Sequence, residues 1–279
     1  MELITVNPLV EWIKNRIKKN KNAILIFNGP TGSGKTFGAI SIAEKIAKEF
    51  GTNFNINDNV DFKFTNLLKK TMLEQNMKPG TPFVFEEVGA FGSGSASREW
   101  QSQANKFFFS FMQTTRHRNQ ILILTCPHFS FLDAGTRSLV HMQIEMTGIN
   151  PRKKVSYCKP YAIQVNSRTG KFYFKFLRLS VGNKKVKFKI LEIQLPSEQL
   201  LKDYEIIKTK YTTELNKSIM EKVKKMKTKV KYQVSCPFCR HHWLAISLTP
   251  RQCPKCEKRL HLERTSPVLG DLTTIRPSV

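Results

Sequence analysis

The octapeptide GPTGSGKT, residues 29 to 36, carries the most specific pattern in the chain. It satisfies G-x-x-x-x-G-K-[ST], the pattern of a phosphate-binding loop or P-loop. An apolar run that is typical of a strand precedes it (23–29), and a segment with helical spacing follows it (35–50). Glycines let the backbone N–H groups turn inward around phosphate oxygens, while Lys35 reaches the β and γ phosphates and the Thr36 hydroxyl ligates Mg²⁺. The predicted nucleotide-binding residues are Gly29, Pro30, Thr31, Gly32, Ser33, Gly34, Lys35 and Thr36.

A second apolar segment, TPFVFEEVG (81–89), predicts a buried strand that ends in two carboxylates. We expect Glu86 to hold Mg²⁺ together with Thr36, and Glu87 to polarise an attacking water as general base. A solvated acidic strand end is the alternative. The strand QILILT ends in Thr125, which is predicted to contact the γ phosphate or the water, or else only to cap the strand. This set favours hydrolysis over phosphate transfer to a small molecule, because many small-molecule kinases need no water-activating carboxylate.

Strands that alternate with helices up to about residue 140 predict an α/β fold with a parallel sheet and right-handed crossovers. A serine and glycine loop is expected at 92–97. Beyond Val140 the segments have the pattern of antiparallel strands, and from Pro196 a long amphipathic helix presents a lysine-rich face. The predicted domains are an N-terminal amphipathic helix (1–22), a P-loop ATPase domain with a β-rich extension from about 140 (23–195), a basic helix or linker (196–231), a zinc ribbon (232–264) and a flexible tail (265–279).

Four segments in this order resemble the ATPase domain of the zonular occludens toxin-like proteins, which belong to the FtsK and HerA group of DNA-pumping ATPases. They are the P-loop, the strand ending in Glu86 and Glu87, RHRNQILILT (116–125) and DAGTRSLVHMQIEM (133–146). The likeness covers roughly residues 20 to 180. It implies a RecA-like core of the ASCE type, ATP and Mg²⁺ as cofactors, and hydrolysis that drives DNA through or along a ring, often a hexamer.

The resemblance also assigns roles to single residues. Glu86 takes the place that aspartate usually holds, and Glu87 becomes the catalytic carboxylate. Arg137 becomes a candidate arginine finger that reaches the γ phosphate of a neighbouring subunit. An ordinary surface charge or an internal salt bridge is the alternative for Arg137. The sequence departs from the family at Thr125-Cys126, where glutamine often follows the threonine or serine.

Two C-x-x-C pairs near the C-terminal end predict a metal site. A C-x-x-C turn delivers two thiolates to one metal, and a hairpin brings the second pair back to close a tetrahedral, structural Zn²⁺ site with no open position for catalysis. Redox dithiols or unpaired core cysteines are the alternatives. The nearby His241, His242 and His261 are expected to be surface or stacking residues. The predicted zinc ligands are Cys236, Cys239, Cys253 and Cys256.

The net charge of +25 favours a polyanionic partner, and nucleic acid is the first candidate. The lysine-faced helix is expected to be a DNA-contacting arm or a coiled-coil spacer. It carries the ribbon, which is expected to grip DNA or a recruiting protein partner. We expect a cytoplasmic protein of a prokaryotic cell or a virus-infected host, because the sequence contains no apolar run long enough for a membrane span and no secretory signal pattern. The predicted function is an ATP-hydrolysing DNA motor for translocation or packaging. The alternatives are a nucleotide-gated adaptor with little turnover and a secretion or virion-assembly ATPase.

Overall fold

The computed structural model divides the chain into two units, which meet in sequence between Thr213 and Glu214. The predicted loop at 92–97, the predicted tail at 265–279 and His261 lie outside the described residues. The predicted domain boundaries stay predictions. The structure describes residues 7–74, 77–88, 98–181, 183–227, 232–245 and 250–260.

The elements alternate between helix and strand up to β5. The helices are α1 (Pro8–Ile17), α2 (Lys35–Phe50), α3 (Ile56–Asn59), α4 (Phe64–Thr71), α5 (Arg98–Thr114), α6 (Ala134–Leu139) and α7 (Glu198–Lys227). The strands are β1 (Ala23–Asn28), β2 (Val60–Asp61), β3 (Pro82–Phe85), β4 (Ile121–Cys126), β5 (Met142–Asn150), β6 (Val155–Val165), β7 (Phe172–Phe176), β8 (Arg178–Val181), β9 (Lys184–Lys187), β10 (Leu191–Gln194), β11 (Tyr232–Ser235) and β12 (His242–Ala245).

One mainly parallel sheet organises the first unit. Its strand order is β10-β6-β5-β1-β4-β3-β2, and β7 also pairs with β6. The strands β2, β3, β4, β1 and β5 run parallel to their neighbours in this set. The predicted α/β class with a parallel sheet is therefore confirmed. Because parallel strands present their carboxyl ends at one edge, the residues that follow β1, β3 and β4 come together there.

The β-rich extension adds antiparallel strands at one side of this sheet. β6 is antiparallel to β5, β7 and β10, as the sequence predicts for this region. β5 has the expected antiparallel partner in β6, but its other neighbour, β1, is parallel to it. The reason is that α6 carries the chain back across the sheet after β4, so that β5 begins at the same end as β1.

The central strand β1 is buried along its whole length and separates two apolar layers. Leu25 and Phe27 face a core formed with α1, α2 and the start of α7. Ile24 and Ile26 face a core formed with α4, α5 and the turn after β4. Successive side chains of a strand point to opposite faces, so a wholly apolar strand suits the middle of a two-layered domain. This packing holds the P-loop rigidly at the carboxyl end of β1.

The ends of two helices follow from local sequence. The Asn7 side chain accepts a hydrogen bond from the Leu9 N–H at 2.9 Å, and Pro8 occupies the first turn, as predicted for α1. Helix α2 ends at Gly51 in the left-handed conformation. Among the helices of the described residues, none combines the length and apolar character that a membrane crossing requires.

The second unit contains the end of α7 and a small antiparallel hairpin of β11 and β12. An isolated antiparallel bridge joins Gln252 to Arg259, the residues on either side of the second cysteine pair in the sequence. Its small core consists of Cys236, Cys253 and Leu260, with Trp243 packed against it.

Candidate active site and metal centre

The P-loop requires glycine at positions where the β-rich extension approaches it. Gly29 and Gly34 have φ angles of +146° and +84°. A Cβ atom on Gly29 would lie 2.4 Å from the Met146 carbonyl oxygen, and one on Gly34 would lie 2.4 Å from the Ser156 hydroxyl. β5 and β6 therefore form one wall of the loop, so that the extension is part of the nucleotide site.

Replacing Gly34 by alanine is expected to weaken both folding and nucleotide binding. The new Cβ would clash with Ser156 and Ile149, and the positive φ angle would strain the backbone of a residue other than glycine. Strain of this kind costs about 1–3 kcal/mol. Gly51→Ala is the matched control, since Gly51 also has a positive φ of +60° but no atom within 4 Å of its added Cβ. Thermal unfolding and ATP-analogue binding would be measured for both variants. An equal effect of the two substitutions on binding would contradict the steric argument.

The two P-loop side chains with predicted roles point to different partners. Lys35 Nζ donates to the carbonyl oxygens of Gly29 at 3.0 Å and Pro30 at 2.8 Å, so its ammonium group lies over the loop. The Thr36 hydroxyl donates to Glu86 Oε2 at 2.9 Å. The start of α2 and the end of β3 thus meet as the sequence motifs predict.

Glu86 is a buried carboxylate, with 1% of its surface exposed. Its Oε2 accepts hydrogen bonds from Thr36 and, at 3.2 Å, from the Tyr204 hydroxyl. Burial raises the pKa of Glu86, while hydrogen bonds from Thr36 and Thr125 and the charge of Lys208 oppose the rise. Its Oε1 is buried and has no hydrogen-bond partner in the described residues. A buried carboxylate oxygen without a partner, beside the P-loop threonine, fits a hard divalent cation such as Mg²⁺.

Glu87 has an unusual backbone and a charged partner. Its φ angle is +54°, a conformation that is costly for a non-glycine residue and clusters at functional sites. Its backbone N–H donates to the Thr125 hydroxyl at 3.0 Å. Its Oε1 lies 2.6 Å from Lys208 Nζ, and the side chain is half exposed. Thr125 itself is buried, and because its hydroxyl also lowers the pKa of Glu86, it lies near both glutamates.

A cavity of about 980 Å³ opens over these groups, which suits a nucleotide in size. Its lining includes the polar groups of Lys35, Thr36 and Glu87. It also includes apolar side chains from the β-rich extension, namely Ile149, Pro151 and Leu195. The arrangement can hold phosphates at the P-loop and an apolar ring nearby.

Comparison with known families supports the same interpretation. Residues 7–133 match the family described as type III restriction enzyme, res subunit, a span that includes the P-loop, both glutamates and Thr125. The chain is a P-loop NTPase. The predicted fold class and the predicted enzyme class, a P-loop ATPase, are confirmed. None of the curated proteins matches the chain.

The solved structures similar to this NTPase include a zonular occludens toxin domain, from the group that the sequence resembles. The N-terminal domain of zonular occludens toxin from Neisseria meningitidis is 14% identical, with a TM-score of 0.32 over 56% of this chain and 95% of that chain. The genome packaging NTPase B204 from Sulfolobus turreted icosahedral virus 2 in complex with AMP is 16% identical, with a TM-score of 0.28 over 48% and 78% of the two chains. Its complex with ATP-gammaS is 14% identical, with a TM-score of 0.27 over 61% and 98%. The first of these belongs to the group that the sequence resembles, while the fold assignment rests on the P-loop geometry and the strand order.

Arg137 lies away from the cavity. It is on α6, with its guanidinium 5.9 Å from the Phe129 ring and 5.7 Å from the Phe172 ring. Its buried Nε has no hydrogen-bond partner within the described part of the chain. The structure therefore does not bring Arg137 to the P-loop of its own chain, and its role as an arginine finger toward a neighbour stays a prediction.

Sequence reasoning missed two residues of the site, Tyr204 and Lys208, both on α7. Burial and the nearby Glu86 carboxylate raise the pKa of Tyr204, so its hydroxyl stays protonated and donates. The apolar stripe of this helix included Tyr204 and indicated packing against something. No local pattern could show that the partner is the strand end some 120 residues earlier.

The four cysteines of the second unit form a compact cluster. Their sulfur atoms lie within 4.8 Å of one another. Cys236 and Cys256 are 3.6 Å apart, and Cys239 and Cys253 are 3.7 Å apart. Four thiolates around Zn²⁺ at about 2.3 Å form a tetrahedron with edges of about 3.8 Å, whereas a disulfide needs about 2.05 Å. The cluster therefore fits a tetrahedral metal ion and does not form disulfides.

Proposed function

We propose that this P-loop NTPase is a Mg²⁺-dependent ATPase whose hydrolysis is coupled to DNA. Lys35 and the P-loop backbone bind the phosphates, and Thr36 with Glu86 would hold Mg²⁺. Glu87 takes a proton from the attacking water, and Thr125 keeps the Glu87 backbone in place. When bound, Mg²⁺ neutralises charge on the phosphates.

One observation carries the coupling to DNA. Residues 151–190, here called the basic platform, contain twelve lysines and arginines and no aspartate or glutamate. They build β6 to β9, the part of the β-rich extension that continues from the wall of the P-loop. Eleven of these cationic side chains are exposed: Arg152, Lys153, Lys154, Arg168, Lys171, Lys175, Arg178, Lys184, Lys185, Lys187 and Lys189.

Aromatic side chains lie among these charges. Tyr173 and Phe174 of β7 are nearly half exposed. Lys187 Nζ lies 5.0 Å from the Phe176 ring, which packs on Tyr161. Cationic groups that follow a phosphate backbone, combined with exposed aromatic rings, are typical of surfaces that bind single-stranded nucleic acid. The basic platform thus supports DNA as the partner better than net charge alone.

The proposal also includes three more specific properties that the sequence predicts. They are translocation or packaging of DNA by a ring, structural Zn²⁺ at the four cysteines, and a cytoplasmic location. The ribbon adds a second surface of suitable chemistry, since His241 stacks on Trp243 with a ring separation of 6.0 Å and Lys258 lies over Phe238. A protein partner for the ribbon is the alternative.

The test measures ATP hydrolysis and DNA binding for the intact chain with single-stranded and double-stranded DNA at two salt concentrations. We expect stimulation by DNA and affinity that falls steeply with salt. Replacing Lys175, Lys184 and Lys185 together by alanine should reduce the salt slope by about 2 for a single strand, at roughly 0.7 per phosphate contact. Turnover that is indifferent to DNA would overturn the proposal, and near-background turnover with intact ATP binding would favour the adaptor.

The matched control removes the same charge from another face. Lys18, Lys19 and Lys48 are exposed and lie outside the basic platform. Their joint replacement by alanine should leave the salt slope nearly unchanged. Equal losses in the two triple variants would show that only the net charge matters.

A further inference from the structure

Helix α7 contacts both carboxylates of the active site from one face. Tyr204 donates its hydroxyl to Glu86 Oε2 at 3.2 Å, and Lys208 Nζ lies 2.6 Å from Glu87 Oε1. Residues four apart lie above one another on a helix, so a single helical face serves both glutamates. The sequence predicted this helix as a DNA-contacting arm or a spacer.

This part of α7 is fixed by packing. Tyr204 is 4% exposed and meets Phe37 of α2 edge to face, with ring centres 6.1 Å apart. Tyr211 stacks on Phe62 at 4.4 Å, and Lys208 Nζ lies 4.8 Å from the same Phe62 ring. All these residues belong to the first unit. A lysine held in this way can orient a carboxylate, because its own position is supported by the Phe62 ring, which in turn stacks on Tyr211.

We infer that the first turns of α7 belong to the catalytic machinery, with Tyr204 as the positioning residue of Glu86 and Lys208 as the positioning residue of Glu87. Tyr204 and Thr36 share Glu86 Oε2, which leaves Oε1 as the oxygen that would ligate a cation. Lys208 fixes one oxygen of Glu87, so the ion pair sets the orientation of the carboxylate that would accept the proton of the attacking water. A general base that is oriented by a third group is the usual construction of such sites. The inference rests on the roles proposed for Glu86 and Glu87.

The experiment for Lys208 uses Lys208→Met in the intact chain. Loss of the ion pair should lower kcat by about tenfold to a hundredfold, since it disturbs the orientation of a base that contributes about 10²–10⁴-fold. KM should change by less than about threefold, because binding at the P-loop is untouched. Lys208→Arg should recover much of kcat. Lys210→Met, at an exposed position two residues along, is the matched control.

The experiment for Tyr204 uses Tyr204→Phe, which keeps the ring packing and removes only the hydroxyl. The Mg²⁺ concentration that half-maximally tightens ATP-gammaS binding should rise about tenfold, in line with groups that support a metal ligand. Binding of ATP-gammaS without Mg²⁺ and the unfolding temperature should stay close to wild type. This binding measurement does not depend on turnover.

Several results would overturn the inference. A kcat within twofold of wild type in Lys208→Met would make the ion pair incidental, and a raised kcat would make it inhibitory. A parallel loss of nucleotide affinity and folding would make Lys208 merely structural. If Glu87→Gln is inactive while Lys208→Met is fully active, only this inference fails. If Glu87→Gln stays active, the proposed function fails first.

Discussion

Replacing Glu87 by glutamine is expected to lower kcat by about 10²–10⁴-fold while ATP binding persists, because a general base contributes a factor of this size. Glutamine keeps the shape of the side chain and loses the proton acceptor. The backbone hydrogen bond to the Thr125 hydroxyl does not involve the side chain, so the local fold should be retained. The measurement is steady-state ATP hydrolysis beside equilibrium binding of ATP-gammaS.

Glu192→Gln is the matched control, since Glu192 is an exposed glutamate on β10 outside the cavity. It should hydrolyse ATP at the wild-type rate. Turnover above about a tenth of wild type in Glu87→Gln would place the base elsewhere. The same variant separates two functions: a motor would bind ATP and DNA but stop working, whereas a nucleotide-gated adaptor would keep its partner binding.

Removing zinc or one zinc ligand is expected to unfold the second unit beyond α7 and to leave the first unit intact. Within residues 232–245 and 250–260, the core of the ribbon consists of the cysteines, Leu260 and Trp243, so we expect metal binding to supply most of its folding free energy. Structural Zn²⁺ contributes about 10–16 kcal/mol in small zinc-finger peptides. Cys239→Ser, or a strong chelator, should abolish the ordered hairpin.

The measurement combines zinc content per chain with the NMR or fluorescence signal of Trp243. Wild type should hold one zinc per chain, and Cys239→Ser should hold much less. His241→Ala is the control, because the four cysteines already complete the cluster. An equal zinc content in wild type and Cys239→Ser would contradict a four-cysteine site. ATP hydrolysis without DNA should be unaffected in both variants, since the ribbon lies in the second unit.

The chemistry of individual motifs could be predicted from the sequence because it depends on residues that are close along the chain. The turn of GPTGSGKT, the apolar strand before Glu86 and Glu87, and the two C-x-x-C pairs each have strict local spacing. The parallel class of the sheet also followed, since helices alternate with strands. For Thr125, the sequence placed a hydroxyl at the end of a strand, and the structure shows that this hydroxyl accepts a hydrogen bond from the Glu87 N–H.

The direction of β5 and the surroundings of the glutamates depended on contacts between distant parts of the chain. The alternation of β5 was clear, but its parallel pairing with β1 follows from the path of α6. From the sequence, the lysines of α7 indicated only that one face of the helix is charged. The structure uses one of them, Lys208, at the active site, and places a dense set of exposed cations on the basic platform.

Short-range spacing along the chain is thus enough to identify the candidate groups for phosphate, a divalent cation and zinc. The groups that surround them depend on contacts made in the folded structure. The β-rich extension closes against Gly29 and Gly34, and α7 brings Tyr204 and Lys208 onto the two carboxylates. These long-range contacts form because they bury apolar faces. An apolar stripe such as that of α7 indicates that the helix packs against another element, but it does not indicate which one.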